Sequence, residues 1–457
     1  MYALHLRHLL ETPDAQAEAL RYGTRKMWRK LAIYNTTIAR TTPENVIAHK
    51  TGKLKRRYEL AFLALRTKGW QRRYGNVSMF LKHDKDLEWT ITDKVPRCVQ
   101  HRHPCYTAKL ATWLYPIEQY IFRGSRLQRK IETAVFAKSH DSFMKAQRLL
   151  AMRRWADDTL FIELDHSRWD AHMSIKMLQK EHLTYLKLAS NDPELRELLD
   201  MQIINRARSH NGTRYISAGK RMSGDLNTGL GNSIMNYVVL LWATRKIPSD
   251  AYEIYLDGDD SVIAMNRHYR HLLDTDFAKI GMTTKIEQEQ TLLQRVGFCQ
   301  SKPIRTGAGI RMVREPVRAI TRMMFSPQKY NDSGWYRYMR GVAECERNCN
   351  RGVPIMQVLA DTLLKQLPTT KALDADVMPE DYLLRMKLER DPGPVEVTND
   401  ARFDFYLAFG LSADEQRYYE RVISNTDFRP QLEFLAGRRE GVHHFPGYRG
   451  AGTNPYA

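Results

Sequence analysis

One stretch in the middle of the chain carries an apolar residue at every fourth position. Its members are Leu226, Leu230, Ile234, Val238 and Trp242. This spacing places them on one side of an α-helix of about four turns, so the pattern predicts an amphipathic helix. A second helix is predicted upstream from an apolar face formed by Ile175, Leu178, Leu183 and Leu186.

Two further segments have the composition of β-strands. Residues 160–165 form an apolar run that ends in Asp165, which is typical of a short buried strand. Residues 252–264 carry an apolar run on each side of Gly258-Asp259-Asp260-Ser261. Glycine beside paired acids is typical of a tight turn, so this segment predicts a β-hairpin.

The rest of the chain has weaker patterns. The first 80 or so residues mix basic and aromatic residues with weak helical periodicity, and residues 80–130 are rich in Lys, Arg, His and Pro. Beyond residue 305 the chain is expected to be mainly helical, notably over residues 341–367 and 401–422. A loose tail is expected over residues 445–457.

The charge of the chain favours a polyanionic partner. Its 457 residues (53.4 kDa) include 71 Lys and Arg against 52 Asp and Glu, which gives a net charge of +19 and a pI of about 9.6. The basic residues are spread along the chain, which favours a charged channel over a basic tail. Nucleic acid is the first expected partner and an anionic membrane surface the second.

Cysteine content and the length of the apolar runs indicate the cellular compartment and the relation of the chain to membranes. Five cysteines are too few and too scattered for a disulfide framework, and they favour a reducing compartment. The first residues do not resemble a signal peptide. The longest apolar run, residues 237–243, is far shorter than the roughly 20 residues that span a bilayer. Any membrane association is therefore expected to be indirect.

Three carboxylates are predicted to meet at one edge of a sheet. Asp165 ends its strand, and the hairpin turn carries Asp259 and Asp260. Clustered carboxylates are costly unless a divalent cation binds them, and such a cluster suits two-metal phosphoryl transfer. Two plainer interpretations stay open: an ordinary acidic turn for the hairpin, and a helix N-cap for Asp165.

A glycine-rich segment precedes the central helix and reads Arg221-Met-Ser-Gly-Asp-Leu-Asn-Thr-Gly-Leu-Gly-Asn232. Ser223 and Gly224 open a loop, and Thr228 and Asn232 lie four residues apart on one helical face. The glycines allow close approach of a nucleotide or another backbone. Ordinary capping of a glycine-rich helix start is the alternative.

The order of these motifs resembles the palm of viral RNA-dependent RNA polymerases. Asp165-x4-Asp170 comes first, Ser223-Gly-x4-Thr-x3-Asn232 second and Gly258-Asp-Asp260 third. The second motif is similar to that of the tombusvirus-like (Tombusviridae-type) replicases of positive-strand RNA viruses, as are Val296-Gly-Phe-Cys-Gln300 and Met312-Val-Arg314. The resemblance covers roughly residues 80–325.

The resemblance implies an α+β right-hand polymerase with fingers, an antiparallel-sheet palm and a helical thumb. Residues 1–155 are expected to form the N-terminal region and fingers. Residues 156–305 would form the palm, with a fingers insertion near 191–218, and residues 306–457 the thumb and C-terminal tail. Mg²⁺, with Mn²⁺ as a substitute, is the implied cofactor. Asp165 and Asp259 are its implied main ligands, and Asp260 is a supporting one.

The resemblance also implies how the incoming nucleotide is recognised. Asp170 and Asn232 are implied to sense the ribose 2′-hydroxyl, with Ser223 and Thr228 in the same network. Such sensing has a physical basis, because a site with buried polar groups rejects a substrate that lacks the hydroxyl. Gly224 is implied to lend flexibility to the loop that contacts the template base.

Upstream basic residues resemble the fingers element that holds the triphosphate. Arg97 is the first candidate, followed by Lys94 and Arg102, with Lys82 and Lys85 as lesser ones. Cationic side chains there would neutralise developing negative charge. A solvated basic loop is the alternative interpretation.

Two further roles follow from the resemblance. Lys285 is implied to protonate pyrophosphate as a general acid, with an ordinary surface lysine as the alternative. Phe298, Cys299 and Gln300 are implied to form the loop that positions the primer end. Cys299 is also expected to be buried.

One group of side chains raises the question of zinc. It consists of Cys98, His101, His103 and Cys105. A usual structural zinc site separates two ligand pairs by a dozen or more residues, so zinc is not expected at this tight spacing.

The implied activity is template-directed RNA synthesis from nucleoside triphosphates on an RNA template, by two-metal-ion nucleotidyl transfer, in replication of a positive-strand RNA virus genome. Implied partners are template and nascent RNA, nucleoside triphosphates, and viral or host replication cofactors. The implied location is the host cytoplasm, in membrane-associated replication complexes, and initiation without a protein primer is suggested. Two alternatives stay open, a reverse transcriptase-like palm polymerase and a non-catalytic basic RNA-binding protein. Polar Asp170 and Asn232 favour ribonucleotides over the first.

Overall fold

The computed structural model describes residues 2–82, 95–323, 331–367, 372 and 393–437. The chain divides into two compact units. Unit 1 comprises Met1–Ile304 and Gly309–Arg314, and unit 2 comprises Arg305–Ala308 and Glu315–Ala457. The predicted loose tail, residues 445–457, lies outside the described residues.

Both units contain many helices. The helices of unit 1 are α1 (Tyr2–Arg7), α2 (Ala17–Lys30), α3 (Pro43–Ala48), α4 (Gly52–Lys68), α5 (Pro104–Gln119), α6 (Ser142–Ala151), α7 (Trp169–His172), α8 (Ile175–Leu188), α9 (Pro193–Asp200) and α10 (Thr228–Ala243). Those of unit 2 are α11 (Pro316–Met323), α12 (Asp332–Cys349), α13 (Met356–Gln366), α14 (Asn399–Phe409), α15 (Ala413–Asn425) and α16 (Arg429–Gly437).

Within the described residues, the strands form two four-stranded sheets and one two-stranded sheet. They are β1 (Val77–Leu81), β2 (Cys98–Arg102), β3 (Thr159–His166), β4 (Ile204–Ser209), β5 (Arg214–Ala218), β6 (Tyr252–Asp257), β7 (Asp260–Asn266), β8 (Thr284–Gln290), β9 (Ser301–Thr306) and β10 (Gly309–Arg314).

One four-stranded sheet is entirely antiparallel, with the strand order β6-β7-β3-β8. The predicted hairpin is confirmed: Asp257 pairs with Asp260, which leaves Gly258 and Asp259 as a two-residue turn between β6 and β7. Gly258 has φ +67°, a left-handed conformation that glycine adopts without steric cost. The predicted strand at residues 160–165 is confirmed as β3.

The other four-stranded sheet joins distant parts of the chain in the order β2-β1-β4-β5. β1 pairs antiparallel with β2 and parallel with β4. The segment near residues 191–218 therefore forms α9 and two strands of a sheet that begins at residue 77. After this sheet's β2, His103 Nδ1 accepts the Cys105 N–H at the start of α5 (3.2 Å), and Cys105 is buried.

The predicted central helix is α10, but it is not amphipathic. It begins at Thr228, so Leu226 precedes it, and every residue from 230 to 243 is buried. The helix packs against α2, α8 and β6, which cover it from several sides. On α2, Gly23 lies so close to α10 that a side chain there would overlap the Val238 carbonyl oxygen.

The predicted second helix is α8, although its buried face differs from the prediction. Ile175 is exposed in the first turn, where Ser174 caps the helix by accepting the Met177 N–H. Glu181, which the apolar pattern did not include, is fully buried on the inward-facing side of the helix. The apolar pattern missed this face because a buried charged residue looks like a solvent-facing one in sequence.

Unit 2 is helical, as predicted, but each predicted stretch is broken in two. α12 and α13 divide residues 341–367, with Gly352 at φ +71° between them. α14 ends at Gly410 with φ +79°, and α15 then begins with a capping box formed by Ser412 and Glu415. Across the described parts of both units, no helix combines the length and the apolar character needed to cross a bilayer.

Candidate active site

The Gly258–Asp259 turn is held from behind by α10. Gly258 N–H donates to Ser233 Oγ (3.0 Å), and Asn236 Nδ2 donates to the carbonyl oxygens of Gly258 and Asp259 (3.1 Å each). Ser233 and Asn236 lie one helical turn apart and so face the same way. Sequence reasoning missed both residues, although polar side chains in an otherwise apolar helix call for buried partners.

The pairing of β3 with β7 brings a third carboxylate to this turn. Leu164 pairs with Ser261, so Asp165, the next residue, lies beside Asp260 at the end of the pair. The protein around Asp260 removes much of its water and, together with the charges of Asp259 and then Asp257, raises the pKa of Asp260 to about 6. The carboxylates at this edge therefore repel one another.

These carboxylates have the chemistry of a divalent metal site. They offer hard oxygen donors, and a bound cation would relieve the repulsion between carboxylates that helps to raise the pKa values of Asp259 and Asp260. Loss of water to the surrounding protein, and then the charges of Asp165 and Asp257, raise the pKa of Asp259 as well. Within the described ranges, no three His, Cys, Asp or Glu side chains are already gathered to hold a metal ion. The side chains of Asp165, Asp259 and Asp260 are exposed at this edge, and they are the residues that would hold one.

Asp170 and Asn232 are joined by a hydrogen bond, in which Asn232 Nδ2 donates to Asp170 Oδ1 (3.1 Å). Burial raises the pKa of Asp170 to about 6, although this hydrogen bond lowers it. The positive charge of Arg97 lowers the pKa of both Asp170 and Asp259. Lys94 and Lys85 lie outside the described residues.

Ser223 and Thr228 contact backbone instead of joining this pair. Ser223 Oγ donates to the Cys98 carbonyl (3.0 Å) and accepts the Gln100 N–H (3.3 Å), which fastens the loop to β2. Thr228 Oγ1 donates to a carbonyl within its own loop (3.0 Å). A side chain at Gly224 would overlap the Gln100 carbonyl. Gly224 therefore allows close packing against β2, and the flexibility implied for it stays a prediction.

The structure contradicts the prediction that Arg102 binds the triphosphate. Its side chain is 1% exposed and forms an ion pair with Asp225 (2.7 Å). The remaining guanidinium N–H groups donate to Asn205 Oδ1 and to the carbonyls of Gly75 and Met201. All of its donors are therefore used inside the protein, where they fasten β2 to the chain around it.

Lys285 lies directly across from Asp165 in the β3–β8 pair. Residues paired in this way project to the same face of a sheet, and Lys285 is exposed. The structure thus brings it to the edge that carries the carboxylates, and its role as a general acid stays a prediction.

The segment at residues 298–300 is a tight turn. Phe298 and Ser301 bridge each other, and Cys299 and Gln300 between them have φ +50° and +57°. Phe298 is buried with its ring 4.8 Å from that of Tyr255, measured between centroids. Cys299 was expected to be buried and is half-buried, and Gln300 is exposed.

Two charged residues that sequence reasoning missed connect this turn to the strands of the site. Lys145 Nζ donates to Asp257 Oδ2 (3.0 Å) and lies 3.7 Å from Cys299 Sγ. Glu163, buried in the otherwise apolar β3, accepts the Gly297 N–H (2.8 Å). An acid inside an apolar strand was the available signal for Glu163.

Comparison with known proteins identifies the family of this chain. A family model described as viral RNA dependent RNA polymerase matches residues 5–431. An RNA-directed RNA polymerase of Tobacco necrosis virus (strain D) is 28% identical over 430 residues, covering 90% of this chain and 58% of the relative. Those of Carnation mottle virus and Turnip crinkle virus are 27% identical, covering 84% and 88% of this chain and 51% and 52% of the relatives.

The chain thus spans about half the length of these relatives. The matched residues include the whole β6-β7-β3-β8 sheet and the segment before α10, where the predicted motifs lie. The resemblance stated from those motifs is confirmed, and the chain belongs to the viral RNA-dependent RNA polymerase family.

Proposed function

We propose that this chain carries out template-directed RNA synthesis from nucleoside triphosphates on an RNA template, in replication of a positive-strand RNA virus genome. The observation that carries the proposal is the β3–β7 pairing, which brings Asp165 beside the Asp259–Asp260 turn in a chain of this family.

The proposal assigns Mg²⁺, with Mn²⁺ as a substitute, to Asp165, Asp259 and Asp260. Bound metal ions would activate the attacking 3′-hydroxyl and neutralise charge on the leaving pyrophosphate. The chain's own task is to hold the carboxylates at one edge. Ser233 and Asn236 fix the turn, and β7 aligns it with Asp165.

The remaining residues would orient the nucleotide. Asp170 offers a carboxylate acceptor and Asn232 an amide donor, which together can recognise a ribose hydroxyl. Arg97 supplies positive charge beside the carboxylates, where a triphosphate would bring negative charge. Lys94 is proposed to share this role and Lys285 to protonate pyrophosphate.

The turn at residues 298–300 is proposed to position the primer end. Template and nascent RNA are the proposed macromolecular ligands, and the net charge of +19 supports binding to a polyanion. Viral or host replication cofactors, and work in membrane-associated replication complexes of the host cytoplasm, are part of the same proposal.

The test is RNA synthesis without a primer on a single-stranded RNA template, in Mg²⁺ and in Mn²⁺. We expect wild-type protein to incorporate nucleotides and Asp259→Asn to lose more than about 100-fold in rate, because a metal ligand is removed. RNA affinity should stay nearly unchanged, since it depends on many phosphate contacts. Asp250→Asn, at an exposed acid before β6, is the matched control and should behave as wild type.

Equal inactivity of wild type and Asp259→Asn, with RNA binding intact, would favour the non-catalytic RNA-binding alternative. A preference for deoxynucleotides on the same template would favour the reverse transcriptase-like alternative.

A further inference from the structure

A buried ion pair lies directly behind the Asp170–Asn232 hydrogen bond. Glu181 on α8 and Arg221, in the loop before α10, have side chains that are 0% and 1% exposed. Arg221 Nη2 donates to Glu181 Oε2, and the Arg221 backbone N–H donates to the Asp170 carbonyl (2.8 Å). The pair is therefore attached to the segment that carries Asp170.

Arg221 also sets the orientation of the Asn232 amide. Its Nε donates to Asn232 Oδ1 (3.1 Å), while Asn232 Nδ2 donates to Asp170 Oδ1 (3.1 Å). A guanidinium group has donors and no acceptor, so it can face only the oxygen of an amide. The amide nitrogen must then point toward Asp170. A flipped amide would place N–H groups against the guanidinium and an oxygen against a carboxylate.

Glu181 in turn fixes the guanidinium. Its Oε1 accepts hydrogen bonds from Asn227 Nδ2 (2.7 Å) and from the Tyr185 hydroxyl (2.9 Å), so the carboxylate is held on its other side as well. Gly231 leaves room for the pair because it has no side chain. Any side chain there would overlap both Glu181 and Arg221. From sequence, the glycines of this segment were interpreted as allowing close approach of a nucleotide or another backbone. In the structure, Gly231 accommodates the ion pair.

Buried ion pairs often add little net stability, because removing two charges from water offsets their attraction. A fully hydrogen-bonded network of this kind does fix one arrangement of the groups it contacts. Here the contacted group is an amide whose two ends have opposite hydrogen-bonding character.

We propose that the Glu181–Arg221 pair is a positioning element for sugar recognition, which holds the Asn232 amide in the orientation that distinguishes ribonucleotides from 2′-deoxyribonucleotides. The inference rests on the proposed function. Arg221 acts through Asn232 and does not itself touch the substrate. Weakening the pair should therefore reduce the preference for ribonucleotides more than it reduces synthesis itself.

The experiment compares kcat/KM for ATP and dATP on an RNA template in wild type, Arg221→Lys and Glu181→Gln. Lysine keeps the charge but lacks the fork that reaches Glu181 and Asn232 together. We expect the ATP/dATP ratio to fall about 5- to 20-fold in Arg221→Lys, mainly through a higher KM for ATP, with dATP use little changed. In Glu181→Gln the ATP/dATP ratio should fall by less, because the glutamine amide oxygen can still accept a hydrogen bond from Arg221.

Two comparisons separate positioning from general stability. Arg148→Lys breaks a similarly buried pair with Glu253 (2.7 Å) elsewhere in unit 1, and should leave the ATP/dATP ratio at the wild-type value. In an Asn232→Ala background, Arg221→Lys should change the ratio no further, since the amide that it orients is gone.

An unchanged ratio in both Arg221→Lys and Glu181→Gln, or an equal loss of ATP and dATP use, would overturn the inference while leaving the proposed function intact. Wild-type protein that makes no RNA would overturn the proposed function and this inference with it. If Arg221→Lys does not fold, Glu181→Gln and its Asn232→Ala double variant decide the matter.

Discussion

At the residue scale, the carboxyl groups of the site differ in what raises their pKa values. Asp260 is affected by the surrounding protein and also by neighbouring carboxylates, whose charge a cation could offset. Glu163, which is buried in β3, is affected above all by burial, and its pKa is raised to about 7. The protonation of Asp260 is therefore expected to depend on bound metal. The ionisation of Glu163 is expected to make the stability of the protein depend on pH.

The Mg²⁺ requirement should increase as the pH falls below about 6. A protonated carboxyl is a poor ligand, and the pKa of Asp260 without metal is about 6. One proton competing with the metal would raise the Mg²⁺ concentration for half-maximal synthesis by roughly tenfold per pH unit. Mg²⁺ titrations of RNA synthesis at several pH values measure this. A requirement that is constant from pH 7 to pH 5 would contradict the expectation.

Glu163→Gln should stabilise the protein at high pH. Because the folded-state pKa of Glu163 is raised from its ordinary 4.5 to about 7, the folded state holds this proton more tightly. The free energy of unfolding of the wild type should therefore fall as the pH rises through this interval. Glutamine is neutral and can still accept the Gly297 N–H, so the variant should be more stable by about 1–3 kcal/mol at pH 8 and nearly equal at pH 4.5.

Urea unfolding at the two pH values measures this difference. Glu44→Gln, at an exposed glutamate on α3, is the control and should show the wild-type pH dependence. A Glu163→Gln variant that is less stable than wild type at pH 8 would show that the carboxylate is favourable where it lies.

How far sequence predicted these residues depended on whether their own position in a strand or turn indicated where they would lie. Asp165, Asp259 and Asp260 were predicted to meet because each ends or links a strand. Arg102 was misassigned because a basic residue near a motif gives no sign of a buried partner such as Asp225, 123 residues away. Lys145 was missed for the same reason, since its partner Asp257 is 112 residues distant.

At the element scale, α10 shows what a periodic pattern cannot tell. The spacing of its apolar residues predicted a helix correctly, but gave no account of the other sides, which are also buried. Full burial follows from packing by α2, α8 and β6. The residues of α10 alone do not indicate these contacts. The hairpin was predictable in full, because turn and strands are adjacent in sequence.

Gly23→Ala should weaken the α2–α10 contact. The added methyl would overlap the Val238 carbonyl oxygen, a backbone atom that can yield only if the helices separate. We expect a loss of about 1–3 kcal/mol in the free energy of unfolding, measured in urea. Gly124→Ala is the control, because the nearest atom to its added methyl lies 3.5 Å away in ordinary contact. Equal effects of the two changes would contradict the packing described.

Substitutions in the turn at Cys299 and Gln300 should stabilise the folded protein. Both residues have positive φ, which costs a residue other than glycine roughly 1–2 kcal/mol. Replacing the pair by Cys299→Asn and Gln300→Gly supplies the residues that such turns favour. The double variant should raise the free energy of unfolding by about 1–2 kcal/mol. If residues 298–300 position the primer end, it should also lower the rate of initiation, and a faster rate would count against that role.

At the scale of the whole molecule, two large apolar clusters among the described residues lie in unit 1. The largest cluster runs from Ala15 to Met282, and a second adds residues as far as Met312. A boundary near residue 305 was predicted only from a change in pattern, and that change could not indicate that β10 belongs with the earlier unit.

A chain that ends after Arg314 should therefore fold by itself. It retains the sheets, α1 to α10 and both clusters, so we expect a single cooperative urea transition and a circular dichroism spectrum with both helix and strand. A chain that ends after Ile304, which lacks β10, is the comparison and should be less stable. A broad, non-cooperative transition of the 314-residue chain would show that unit 1 depends on unit 2.

The strand order β6-β7-β3-β8 also has a consequence for synthesis on the ribosome. β3 lies between two strands that are made after it, and the second of them ends only at Gln290. Both edges of this apolar strand lack their final neighbours until β7 is made, and one edge still lacks its neighbour until β8 is complete. Unpaired strand edges are the condition that attracts chaperones and promotes association between chains. Ribosome-bound chains halted before residue 250 should thus be cut by protease within residues 159–166, and chains that have fully exposed residue 290 should resist it.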